Sequence, residues 1–283
     1  MAAMGSVTER DDDHEAAGYG RWWAPVIAPT ALGLLDTVEP LIAGLPAPRI
    51  LDIGTGTGTL ALAATGRWPN AIVWGIDSAA GRIRHAERAA ATRLSPAERA
   101  RVDLRVARAE ELPFDDGGFD LAVSSFVMQL VPDRRSALRE ALRVLRPGGW
   151  LAYVTWQADR TPFAPDEAFE RALDAAGVPS EEEDEAKPRA GDPPSPPAAA
   201  TQMRRAGYAE VRSRRGWLEH RWTARSYLDF VERYDKVGFL ATLDREARRR
   251  IHDLARTELA RLAPEAFTWR TPVITAMGRR PRR

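Results

Sequence analysis

The chain sets short apolar runs against amphipathic stretches in a regular order. Residues 50–53 are apolar but for one acid and read as a first strand; residues 60–67 are Ala/Leu-rich and read as a helix. Residues 72–77 repeat the strand pattern. In residues 79–94 the positions Ile83, Ala86, Ala90 and Leu94 fall on one helical face. Val102, Leu104 and Val106 then alternate with Asp103 and Arg105, which marks a strand with one wet face, as at a sheet edge. Residues 119–124 give a fourth strand. Asp133 stands where it can cap a helix whose stripe is Leu138, Ala141, Leu142 and Leu145, and Pro147-Gly148-Gly149 reads as the stop. Residues 150–156 give a fifth strand. Strands that alternate with helices at this spacing predict an α/β fold with a doubly wound parallel sheet.

The remainder is less regular. Residues 163–176 predict a helix. Residues 180–200 hold Glu181-Glu182-Glu183-Asp184-Glu185, then Pro193-Pro194 and Pro196-Pro197, and predict an exposed loop. A helix over 201–206, a weak strand over 209–215, helices over 223–234 and 244–262, and a last strand over 272–278 follow. The expected organisation is a disordered tail (1–18), an N-terminal helical segment (19–48), a core (49–157), a cap (158–267) with a flexible loop at 179–200, and a last strand with a basic tail (268–283).

Composition narrows the classes. In 283 residues, 41 Lys+Arg against 40 Asp+Glu leave a net charge of +1, so no global field recruits nucleic acid or membrane. Lys187 and Lys236 are the only lysines; the many arginines are spread along the chain, as GC-rich coding would give. The one cluster is Gly278-Arg279-Arg280-Pro281-Arg282-Arg283, which reads as a solvated tail. With no Cys there is no disulfide, thiolate metal site or cysteine nucleophile, and no metal site is expected. No apolar run approaches the ~20 residues of a membrane span, and a cytoplasmic location is expected.

The candidate chemistry sits at the first strand–helix junction. Asp52 ends an apolar run; Gly54, Gly56 and Gly58 alternate after it, and Asp77 ends the next run. A dinucleotide site wants glycines at the first, third and sixth positions, and here the sixth is Thr59. An acid ahead of the turn would repel a pyrophosphate but pair with an ammonium. The pattern therefore favours a nucleoside carrying an amino acid, which describes S-adenosylmethionine, over NAD.

Five blocks, Asp52-Ile53-Gly54-Thr55-Gly56-Thr57-Gly58, Gly75-Ile76-Asp77, Glu110-Glu111-Leu112-Pro113-Phe114, Phe119-Asp120-Leu121 and Leu145-Arg146-Pro147-Gly148-Gly149, stand in the order found in class I S-adenosylmethionine-dependent methyltransferases. The chain resembles that family, and within it the ubiquinone/menaquinone-type small-molecule enzymes, closely over residues 49–157. The resemblance implies a seven-stranded, mostly parallel, Rossmann-like sheet whose last strand is inserted antiparallel, with a helical cap after the fifth strand. It implies that Asp52, Gly54, Thr55, Gly56 and Gly58 hold the methionine moiety and that Asp77 and Ser78 meet the ribose. Ala109 and Glu110 would lie along the adenine, and Ser124 and Ser125 beneath the sulfonium. Two departures stand out: Arg108 where the family often has an Asp, and Gln129 near the place of a common His.

Methyl transfer mainly needs alignment, and needs a base only if the acceptor must lose a proton. Of the four histidines, His14 lies in the tail and His85 and His252 read as surface residues on helices; His220 follows the sixth strand, near where members of the resembled family place the acceptor, and is the candidate base. Trp156, Trp217, Trp222, Tyr227 and Phe230 either line an acceptor pocket or weld the cap to the sheet. Tyr19, Trp22 and Trp23 form either a lid or a packed helix face, with Tyr19, Trp23 and Gln129 counted among the pocket candidates. A small-molecule acceptor (a quinone, phenol or polyketide-like metabolite) is the expected partner. RNA or protein methylation, or a non-catalytic cofactor-binding relative, are the alternatives.

Overall fold

A computed structural model describes residues 9–158, 161–178 and 191–282. They form two compact units: one from residues 1–158, 189–216 and 272–283, the other from 159–188 and 217–271.

The first unit is built on a seven-stranded sheet of order β3-β2-β1-β4-β5-β7-β6. Its strands are β1 (Arg49–Ile53), β2 (Ile72–Asp77), β3 (Val102–Val106), β4 (Phe119–Ser125), β5 (Leu145–Trp156), β6 (Ala209–Arg221) and β7 (Thr268–Arg279). β1 pairs in parallel with β2 and β4, and β4 with β5; β7 runs antiparallel to β5. The doubly wound, mostly parallel sheet with an inserted antiparallel strand is therefore the architecture observed. Ile50, Leu51 and Ile53 are wholly buried, as a central parallel strand covered on both faces requires. β3, with its alternating pattern, lies at the sheet edge.

The helices of this unit are α1 (Glu9–Gly18), α2 (Ala24–Ile42), α3 (Thr59–Arg67), α4 (Ala80–Arg93), α5 (Pro96–Arg99), α6 (Arg134–Val144) and α8 (Pro196–Ala206), α7 belonging to the second unit. Asp133 caps α6 as expected, accepting from the Ser136 amide at 3.0 Å.

Four sequence expectations are corrected. Residues 9–18, expected in a disordered tail, form α1, held to α4 by Arg82–Glu15 at 2.8 Å and Arg84–Asp13 at 2.9 Å; residues 1–8 lie outside the described residues. Asp13 and Glu15 are partners for arginines far along the chain. Second, the helix over Asp13–Ile42 runs 30 residues through a π turn at Tyr19–Trp23, long and apolar enough to meet the span criterion. Val26, Ile27, Ala31, Leu34, Leu35 and Val38 are buried along one side of it, so this helix packs by one face against the unit.

Third, α6 ends at Val144, before Pro147-Gly148-Gly149. Those residues lie within β5, at a register shift where Phe119 pairs with Leu145 but Leu121 pairs with Trp150. Fourth, Arg279 and Arg280 of the arginine tail are docked, while Arg282 is exposed. Arg280 donates to the carbonyls of Leu142, Arg143 and Leu145, and Arg279 donates to Gly148 O and pairs with Glu210. Free carbonyls at the end of a helix attract a cation, and Arg280 supplies it.

The expected loop at 179–200 falls mostly on 179–190, outside the described residues; from Pro196 the chain is already helical, with Ser195 as the cap. The second unit is correspondingly discontinuous. It holds α7 (Ala164–Ala176), α9 (Ala224–Phe230), α10 (Val237–Thr242) and α11 (Arg245–Ala260). Ala168, Phe169 and Leu173 of α7, and Ile251, Ala255 and Leu259 of α11, are buried. The Tyr227 hydroxyl donates to Asp166 at 2.5 Å, and burial beside that carboxylate pushes its pKa far above the usual tyrosine value.

Candidate functional site

The β1–α3 junction forms the centre of the first unit's site. Gly54 has φ +73°, and a Cβ there would stand 2.3 Å from Val127. Only glycine meets both demands. Gly58, at φ +90°, starts α3 with Ala86 and Leu62 pressed against it. The loop is also tied sideways, since the Thr55 amide donates to Ile76 O at 2.7 Å.

The two acids have different duties. Asp52 is 1% exposed, and its Oδ2 accepts both from the Thr55 hydroxyl at 2.7 Å and from the Ala61 amide at 3.1 Å. Its Oδ1 has no hydrogen-bond partner among the described residues. Burial raises its pKa to about 7, Asp77 adding to the rise and the two hydrogen bonds opposing it. Asp77 accepts from the Gly56 amide on Oδ2 at 2.9 Å and from the Ala79 amide on Oδ1 at 3.0 Å. It locks the glycine turn to the start of α4. The Gly56 amide, expected to face the methionine moiety, is thus engaged by Asp77.

A small cavity of about 20 Å³ opens beside this turn, lined by Asp52, Gly54, Thr55, Thr59 and Leu60, with Ser125 from β4 and Ile27, Ala31 and Tyr19 from the N-terminal helices. Ser124, the expected neighbour of the sulfonium, turns into the sheet instead and donates to Ile53 O at 2.8 Å. Alternation along β4 decides this: consecutive side chains face opposite sides. Ile27 and Ala31 escaped the sequence reading, though their i, i+4 spacing on α2 is the signal that could have found them.

Asp77, Ser78, Ala109 and Glu110 do not line that cavity. They stand at the ends of the next strands. The Ala107 amide donates to Asp77 O at 3.0 Å, which sets the loop after β3 beside Asp77. There Glu110 is ion-paired to Arg108 at 2.9 Å, so the departure at Arg108 neutralises the very acid expected at the adenine edge.

The N-terminal helices cover the turn. Tyr19 lies 3.6 Å from where a Gly56 Cβ would be, and the Arg82 guanidinium stacks 4.4 Å from the Tyr19 ring. Gly20 packs against His85, a residue expected on the surface. Trp23 stands 6.1 Å from Trp156, which is 4.2 Å from Phe126. Phe126 itself holds φ +55°, a conformation disfavoured for a bulky side chain, next to the cavity residue Ser125. Gln129 is buried and accepts from the Thr155 hydroxyl at 2.8 Å.

Trp217 and His220, at the end of β6, and Trp222 after it fall among residues 217–271, which are counted with the second unit. Trp222 is buried, packing against Phe230 at 4.8 Å; His220 meets it edge-on at 4.3 Å. Trp217 is 46% exposed with Arg270 over its ring. Partial burial lowers the His220 pKa, so its imidazole is neutral at pH 7.

Residues 50–149 match the family model of a methyltransferase domain. A ubiquinone/menaquinone biosynthesis C-methyltransferase of Geotalea daltonii is 34% identical over 41% of this chain and 48% of its own length. A malonyl-[acyl-carrier protein] O-methyltransferase of Geobacter sulfurreducens is 40% identical over 39% of each chain. The chain thus spans about half the length, or less, of these curated relatives. The Haemonchus contortus phosphoethanolamine N-methyltransferase 2, solved with S-adenosylhomocysteine, shares the fold at a TM-score of 0.56, with 17% identity over 97% of this chain and 58% of that one. Residues 50–149 therefore match a methyltransferase domain, and over that stretch the chain is similar to the ubiquinone/menaquinone biosynthesis C-methyltransferases.

Proposed function

We propose that this protein transfers a methyl group from S-adenosylmethionine to a small-molecule acceptor such as a quinone, phenol or polyketide-like metabolite. The observation that carries this reading is Asp52: a buried carboxylate on the cavity wall, one oxygen held by two donors and the other without a partner among the described residues. A cationic amine is the natural complement to such a group. When bound, the cofactor supplies a sulfonium-activated methyl group. Gly54 and Thr55 would cradle its amino-acid end, Asp77 would meet the sugar while holding the turn, and Tyr19 would exclude water from above.

The relatives' names give different acceptors, a carbon in one and an oxygen of a malonyl carrier protein in the other, so they support methyl transfer without fixing the acceptor. His220, neutral at pH 7, is the proposed base. RNA or protein methylation has less support, because Arg279 and Arg280 of the tail are held by the fold, while Arg282 is exposed. The Arg108–Glu110 pair is the feature that favours a non-catalytic relative, since it changes the adenine edge. Calorimetry with S-adenosylmethionine, followed by a labelled-methyl screen over acceptors, tests the reading. Absence of micromolar binding to the wild-type chain would remove it.

A further inference from the structure

The second unit contains a groove that the proposed methyl transfer does not use. Its floor is apolar, formed by Val237 and Leu240 of α10; Val237 is 46% exposed. Its rim is Arg245, Arg248 and Arg249, spaced i, i+3 and i+4 on α11, and therefore side by side on one face. Several other arginines of this unit are paired: Arg171 and Arg261 with Glu258, and Arg233 with Asp229. The guanidinium groups of Arg245, Arg248 and Arg249 have no ion pair or hydrogen bond among the described residues. Three like charges on one helical face repel one another unless an anion joins them.

One acid lines the groove, Glu232, whose carboxylate is 2.8 Å from His252 Nδ1. It leaves the groove cationic yet opposes a second negative charge on a ligand. Guanidinium groups bind carboxylates in a paired fork, and a concave apolar surface with a few convergent polar groups is the usual form of a small-molecule site.

We propose that this groove binds a singly charged amphipathic carboxylate, with its head on the α11 arginines and its apolar chain along α10. The site is made entirely of second-unit residues and does not depend on the proposed methyl transfer. Octanoate, well below its micellar range, is the probe, titrated by calorimetry into the full chain without S-adenosylmethionine. Saturable one-to-one binding is expected. R248Q/R249Q should weaken it at least tenfold and V237D similarly, while E232Q, which removes the opposing charge, should tighten it. The three arginines are exposed, so R248Q/R249Q should melt like the wild type.

Octyl phosphate should bind no tighter than octanoate, and inorganic phosphate and octyltrimethylammonium should not compete. The proposal is overturned by no octanoate binding to the wild type, or by equal binding to a folded R248Q/R249Q. Equal binding of the cationic amphiphile would show apolar adsorption. Tighter binding of either phosphate would show a dianion site.

Discussion

The Gly56 amide donates to Oδ2 of Asp77 at 2.9 Å, so the second acid of the sequence pattern closes the glycine turn of the first. Two motifs that read as separate contacts to one ligand are mechanically one object. Asp77 also holds the Ala79 amide just ahead of α4, so a change at this residue moves the turn and the helix start together.

Asp77→Ala should therefore cost stability as well as cofactor binding. Two amides, one buried and one half-buried, lose this acceptor, at about 1.5–3 kcal/mol for a charge-assisted bond that is buried and less for the other. Asp77→Asn keeps one acceptor oxygen and should fall between. Urea unfolding alongside titration with S-adenosylmethionine separates the two losses; an Ala variant with wild-type stability would show that the turn closes without Asp77.

Asp52 should give a pH signature. Its folded pKa, raised to about 7, lies above the ordinary carboxylate value, so between about pH 4 and pH 7 the folded state binds the proton that the unfolded chain has released. This group's contribution is fully present below pH 4 and is lost as pH rises through 7, by on the order of a few kcal/mol. Asp52→Asn should flatten that part of the stability profile. A cationic ligand would favour the carboxylate, so binding near pH 6 should release a proton, seen as a calorimetric enthalpy that varies with the buffer. No variation with buffer would mean Asp52 does not face the amine.

Tyr19 and Arg82 should govern retention of the cofactor. Arg82 joins α4 to α1 through Glu15 and to the π turn through the Tyr19 ring, and a stacked cation of this kind contributes about 1 kcal/mol. Arg82→Ala should speed hydrogen exchange over residues 9–23 and raise the cofactor's dissociation rate several-fold, with the sheet unaffected. Uniform exchange changes across the chain would point to global loosening instead.

Arg280→Ala should destabilise the first unit by about 1–3 kcal/mol, because three carbonyls at the end of α6 and the start of β5 lose a charged donor. It should leave cofactor affinity within twofold. A salt-sensitive loss of RNA binding in this variant, in place of lower stability, would revive the nucleic-acid reading.

The glycine–acid turn, the parallel strands and the edge position of β3 were legible because each rests on local rules: burial on both faces gives continuous apolar runs, and one wet face gives alternation. The departure at Arg108 was visible too, but its meaning was not. In the fold Arg108 bridges to Glu111 and its side chain pairs with Glu110. Ser124 and Ser125 were indistinguishable as neighbours in the chain, and strand direction alone turns one into the sheet and the other to the cavity.

What the amino-acid order determined by itself was the periodicity, the punctuation and the two acids at strand tips, since these follow from backbone geometry over a few residues. What tertiary structure decided was partnership. Asp13 and Glu15 became anchors, Arg280 a helix cap and Tyr19 a cover for the glycine turn, because each meets groups 60 or more residues away, or in another layer. Charge and aromaticity are read at one position, whereas their effect depends on what the fold sets opposite them, and no local pattern encodes that distance.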